Sequence, residues 1–210
     1  MSAFDRKAHW ENAWLAKQAH EVSWYQEVPQ ISLSMIKNAG LDYDAPLIDV
    51  GGGASLLVDH LLQAGYRDIT VLDISRAALE QARQRLGNLA HSVNWIEADI
   101  TRFTPDRRFA LWHDRAVFHF LLEADERERY VEALHRGLRP GGQVIIAPFA
   151  LDGPRKCSGL DIVQYDAEGL MSILGSNMHL LEQRVDEHRT PTGITQKFSF
   201  FRLEGSKIEN

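Results

Sequence analysis

"LIDVGGGASLL", residues 47–57, decides how the chain is read. An apolar run ends in Asp49, three glycines follow, and after Ala54 and Ser55 the apolar residues resume. Glycine costs conformational entropy and weakens regular structure, so three together imply a backbone that bends tightly beside something. The flanks fit a strand ("PLIDV") and a helix ("SLLVDHLLQAG") that Gly65 stops.

The same alternation repeats along the chain. "DITVLDI" predicts a second strand, and Ser75 caps the helix "RAALEQARQRLG", which Gly87 ends. "SVNWIEADI" and "RFALWHD" read as a third and fourth strand. "ADERERYVEALHRGLRPGG" is a helix and turn leading to the fifth, "QVIIAPF". Upstream, residues 5–18 predict a helix with Trp10 and Trp14 on one face. "EVSWYQEVPQ" is a connector, and Pro29 opens a helix reaching Ala39 and Gly40. Strands alternating with helices imply an α/β protein whose mainly parallel sheet is covered on both faces. The end departs from this rhythm. "HLLEQRVDEHR", "TPTG" and "ITQKFSFFRLE" predict two strands with a short connection, hence an antiparallel hairpin. Between them and the fifth strand, "LDGPRKCSGLDIV" reads as a long irregular loop.

Composition narrows the function. The 210 residues are 44% hydrophobic and 25% charged, as in ordinary globular proteins, and fit one domain. We divide it into an N-terminal helical cap, residues 1–40, and a main part, residues 41–210. A net charge of −6 without a basic stripe argues against a nucleic-acid partner. No apolar run reaches the ~20 residues of a membrane span, and "MSAFDRKAHWENAW" lacks a signal-peptide core. Cys157 is the only cysteine, so no intrachain disulfide forms and no paired-cysteine metal knuckle exists. A cytoplasmic setting without a metal is the expectation.

In an open parallel sheet, ligands sit beyond the carboxyl ends of the strands, where the glycines fall. A phosphate loop needs a lysine that is missing here. The dinucleotide pattern GxGxxG finds Gly51 and Gly53 but meets Leu56 at its third glycine. A nucleoside without phosphates fits better. "DVGGGAS" resembles the D-x-G-x-G-x-G signature of class I S-adenosylmethionine-dependent methyltransferases, with Asp49, Gly51 and Gly53 matched, Gly52 between them, and Ser55 where the last glycine stands.

Asp73, about 20 residues beyond Gly51, ends the second strand where an acid accepts from both ribose hydroxyls. Asp99 ends the third. The resemblance implies that Asp99 meets the adenine amino group while Ile74 and Ile100 cover the ring. Alternatively, these aspartates merely cap the elements that follow. The resemblance spans residues 10–149. It implies a Rossmann-like three-layer sandwich with a seven-stranded, mostly parallel sheet of order 3-2-1-4-5-7-6, and S-adenosyl-L-methionine as cofactor, leaving S-adenosyl-L-homocysteine.

"HWENAWLAK" and "LWHDRAVFHF" are similar to the thiol and thiopurine S-methyltransferase branch, with its W-x-x-x-W start and W-D-R segment. Carried over, Trp10 and Trp14 line the cofactor, and Arg115 reaches its carboxylate or the substrate. His113, between Trp112 and Asp114, departs from that pattern. "SWYQ", residues 23–26, is similar to a motif of lysine methyltransferases.

His113 and His119 are either satisfied side chains or a general base; Asp114 either orients a histidine or pairs with Arg115. These four are the catalytic candidates. Trp24, Tyr25 and Cys157 are core residues or substrate contacts. The expected activity is methyl transfer to a small molecule, with a thiol or other soft nucleophile favoured. Protein lysine methylation is the alternative within the class; a nucleoside- or dinucleotide-binding module or an NAD-dependent oxidoreductase is the alternative outside it.

Overall fold

The computed structural model describes residues 4–207; residues 1–3 of the expected cap and 208–210 of the main part lie outside them. Seven strands form one sheet: β1 (Leu47–Val50), β2 (Ile69–Asp73), β3 (Val93–Glu97), β4 (Phe109–Arg115), β5 (Leu138–Ala147), β6 (Met178–Arg189) and β7 (Thr195–Gly205). Their order is 3-2-1-4-5-7-6, as expected. β1 to β5 run parallel, and β7 pairs antiparallel with both β5 and β6.

Six helices accompany them: α1 (Arg6–Ala16), α2 (Gln30–Asn38), α3 (Leu57–Gln63), α4 (Arg76–Leu86), α5 (Ala124–Gly137) and α6 (Ala167–Leu174). Apolar residues alternate along the strands because successive side chains point to opposite faces. Leu47, Val71, Leu111, Ile145 and Phe200 join Met35, Leu61 and Leu79 from α2, α3 and α4. On the other face, Ile48, Leu72, Trp112, Val144 and Phe201 join Tyr130, Leu134 and Leu170 from α5 and α6. Ser75 caps α4 by accepting from Ala78 N.

Three expectations change. The helix read from "SLLVDHLLQAG" starts only at Leu57, because Ser55 Oγ first takes up Leu57 N in the bend. β5 begins at Leu138, so the "RPGG" expected as a turn runs inside it, with an irregular register against β4. α6 has no counterpart in the sequence reading; Asp166 caps it by accepting from Gly169 N. Within the loop after β5, residues Lys156–Cys157 and Leu160–Asp161 form a small antiparallel ribbon. Among the described residues, no helix is long and apolar enough to cross a membrane.

Candidate active site

The glycine bend sits where β1 hands over to α3, and each glycine leaves room for a neighbour. Gly51 has φ +69°, and a Cβ there would overlap Val117; a Cβ on Gly52 would overlap the Asp49 carboxylate. On Gly53, with φ +42°, it would lie 2.6 Å from Asp73 Oδ2. Bare backbone therefore lets two buried carboxylates approach the bend.

A pocket opens beside this bend. Asp49, Gly51, Gly52, Asp73, Ile74, Asp99 and Ile100 line one side of it. Trp10, Trp14, Trp24 and Tyr25 come in from α1 and the connector, and His113, Arg115 and Cys157 complete the wall. Gly53 supports the bend without lining the pocket. The indoles contact one another edge to face: Trp24 lies 5.8 Å from both Trp10 and Trp14.

Asp73 is buried, and its Oδ1 accepts from Ser75 N at 2.8 Å. Burial pushes its carboxyl up to about 7, with the charges of Asp49 and Glu11 adding to the rise. A hydroxyl donor arriving here would relieve a strained anion. Asp99 accepts from Thr101 N and Oγ1, so it caps the turn Ile100–Arg102 as well as lining the pocket. Arg6 Nη1 stands 3.8 Å from its other oxygen.

The stretch "WHDR" is divided by the pleat of β4. His113 faces α2 and Asp49, whereas Asp114 faces α5. Asp114 is fully buried, accepting from Tyr130 Oη at 2.7 Å and from Val117 N and Phe118 N. Burial raises its carboxyl to about 6 despite these donors. It braces the turn after β4 and forms no part of the pocket wall. His119 is also outside the wall; it is fully buried, and its Nδ1 accepts from Phe149 N at 3.3 Å. Burial, with Arg115 nearby, drives it down to about 3, so it stays neutral.

Arg115 is the unusual member. Nη1 donates to Trp24 O at 2.9 Å, and the guanidinium carbon lies 4.5 Å from the centre of the Phe198 ring. Nε and Nη2 are buried and meet no acceptor among the described residues. Burial lowers its pKa to about 10, against the opposing charges of Asp186 and Asp49; the group remains a cation. The neighbouring Cys157 thiol is pushed up to about 12 by burial and stays protonated.

Ser32 and Arg6 are among the wall residues that escaped the sequence reading. Ser32 is buried on α2, its hydroxyl 2.9 Å from His113 Nε2. The signal was a hydroxyl on the same helix face as Met35 and Ile36. Arg6 also lines the pocket. Among the described residues, no group of three potential ligands is arranged to hold a metal.

Residues 47–142 match a family model described as a methyltransferase domain. The mouse eEF1A lysine and N-terminal methyltransferase is 24% identical over 143 residues, which is 68% of this chain but only 20% of that relative. By structure, the protein solved in a study of the conversion of a disulfide bond into a thioacetal group during echinomycin biosynthesis superposes with a TM-score of 0.78. That match is 20% identical and covers 98% of this chain and 95% of the other. Burkholderia thailandensis 1,6-didemethyltoxoflavin-N1-methyltransferase, solved with its substrate and S-adenosylhomocysteine, gives 0.72 at 18% identity over 98% and 93%. At such identities the likeness to these structures is one of fold.

Proposed function

We propose that this chain, a class I S-adenosylmethionine-dependent methyltransferase in fold and family match, binds that cofactor in its pocket and methylates a small molecule bearing a thiol or other soft nucleophile. The cofactor supplies a methyl group already activated on a sulfonium. The residues present suit it. Asp73 would accept from the ribose hydroxyls, Asp99 from the adenine amino group, and Ile74 and Ile100 would flank the ring. The glycine bend leaves the space that a side chain would fill, and the indole faces of Trp10, Trp14 and Trp24 favour a positive sulfur.

Arg115 carries the reading of the acceptor. It lies at the end of β4 against Phe198 of β7, away from the β2 and β3 aspartates, with two buried donors unused. Unpaired buried donors are costly, and an anionic acceptor or thiolate meets both. A lysine ammonium would instead approach a buried cation, which disfavours the protein-lysine alternative suggested by the mouse relative. Methyl transfer needs the nucleophile roughly 3–3.5 Å from the carbon and water excluded. The aromatic lid and the neutral Cys157 provide a largely apolar surround.

Calorimetry with S-adenosylhomocysteine and NADH tests the cofactor; binding of NADH alone would overturn the assignment. Arg115→Met then tests the acceptor. We expect KM for a carboxylate-bearing thiol to rise at least tenfold while affinity for S-adenosylhomocysteine changes less than threefold. A loss of S-adenosylhomocysteine affinity, with 5′-methylthioadenosine binding intact, would instead assign Arg115 to the cofactor carboxylate. Labelled methyl incorporated into protein from cell extract, and into no small thiol, would favour the lysine alternative.

A further inference from the structure

His113 is the residue by which "WHDR" departs from the pattern it resembles, and its two ring nitrogens are both engaged. Nδ1 lies 2.7 Å from Asp49 Oδ1, and Nε2 lies 2.9 Å from Ser32 Oγ. All three side chains are buried, yet all three line the pocket. They come from separate elements: Asp49 from β1, His113 from its register partner on β4, and Ser32 from α2. An ionised Asp49 can only accept, so the Nδ1 proton points to it. Nε2 is then the acceptor, and the Ser32 hydroxyl donates to it.

This leaves the Ser32 oxygen lone pairs for a donor in the pocket. We propose that Ser32, His113 and Asp49 form a relay that removes the acceptor's proton during methyl transfer. The inference rests on the methyltransferase reading above. As the acceptor sulfur bonds to the methyl carbon, the carbon–sulfonium bond breaks and its electron pair stays on the cofactor sulfur. The acceptor proton passes to Ser32 Oγ while the serine proton moves to His113 Nε2. Asp49 stabilises the resulting imidazolium, which later loses the proton to solvent. A positioned base of this kind is worth about 10²–10⁴ in rate.

Other charges bear on the imidazole. Asp49 faces it from β1, and Asp73 stands behind Asp49 on β2. Asp114, on the opposite face of β4, interacts with it through charge. Arg115 lies two residues along, on the same face of β4. Cys157 on the same wall is neutral.

The test compares two carboxylate-bearing thiols as acceptors. 5-Thio-2-nitrobenzoate is ionised at neutral pH and needs no base; 3-mercaptopropionate must lose a proton. In His113→Gln, the ratio of kcat values for 3-mercaptopropionate over 5-thio-2-nitrobenzoate should fall at least thirtyfold at pH 7 and recover toward the native value as pH rises. Ser32→Ala should lower it at least fivefold. S-adenosylhomocysteine affinity, read by calorimetry, reports whether the Asp49 side of the pocket survives. An unchanged ratio with that affinity intact would overturn the relay. If the native protein methylates neither thiol, it is the acceptor reading that fails. The relay is then judged on the ligand-free protein by nitrogen-15 NMR of His113. A neutral ring protonated on Nδ1 supports it; protonation on Nε2 at pH 7 overturns it.

Discussion

Asp73 is kept in the folded protein at a cost. Its carboxyl titrates near 7 in the folded chain because burial disfavours the anion, with Asp49 and Glu11 adding to this. Its unfolded value lies near 3.8. The folded form therefore binds the proton more tightly, and the stability this confers is present below pH 4 and is lost as pH rises toward 7. By pH 8 the buried anion costs of order 4 kcal/mol. Asp73→Asn should remove that slope and raise the Tm of the ligand-free protein at pH 8, while S-adenosylhomocysteine binding weakens at least tenfold. Tm curves from pH 5 to 8 check the first part and calorimetry the second; a parallel slope in the variant would mean that the carboxylate is solvated. Ribose hydroxyls donating to the anion, as proposed, would also make native affinity fall as pH drops below 7.

At the scale of elements, the site depends on how the bend and the pleat apportion space. Gly52 has no positive φ to protect; its constraint is the Asp49 carboxylate and Val71 Cγ1, which a Cβ would meet at 2.9 Å. Gly52→Ala must swing Asp49 away from His113. We expect S-adenosylhomocysteine affinity to fall more than tenfold, with a stability loss of about 1–3 kcal/mol from overpacking, measured by calorimetry and urea unfolding. Unaltered affinity would show that Asp49 has room to move. Much of this element plan was legible. Strand-ending aspartates and the glycine bend are local patterns, and the parallel sheet follows from their alternation with helices. The pleat of β4 was not read through. "WHDR" looks like one polar cluster, but a strand sends His113 and Arg115 to one face and Trp112 and Asp114 to the other. Asp114 thus braces Tyr130 while its neighbours meet the pocket. α6 escaped because "AEGLMSIL" is only eight residues long, about two turns, too short a window for its helical period to stand out. Ser32 needed tertiary knowledge, since its partner lies on a strand far along the chain.

At the scale of the whole molecule, the pocket has a strong floor and a weakly held roof. The floor is the sheet, whose strands bury both faces. The roof is α1 and the connector behind it, and of the helix only Trp14 is buried. Polar ties hold α1 down. Glu11 accepts from Ser75 Oγ at 2.7 Å and from Ala77 N; Gln81 donates to Trp14 O and Lys17 O; Arg6 pairs with Glu126. Burial works against the Glu11 anion, but Ser75 and the α4 amides more than compensate, leaving its carboxyl below the ordinary range. Partly exposed ion pairs such as Lys7–Glu97 add little. Segments with few apolar contacts open at low free energy, so α1 should be the first element to leave the pocket. A ligand bound beneath Trp10 and Trp14, as proposed, would replace the missing contacts. Hydrogen exchange should therefore show S-adenosylhomocysteine slowing α1 amides at least tenfold, with β4 and β5 already slow and little changed. Glu11→Ala, which removes the tie to the start of α4, should speed ligand release at least fivefold, followed through indole fluorescence. Protection spread evenly over sheet and helix would mean that α1 is as firmly seated as the floor, and that the ligand enters without moving it.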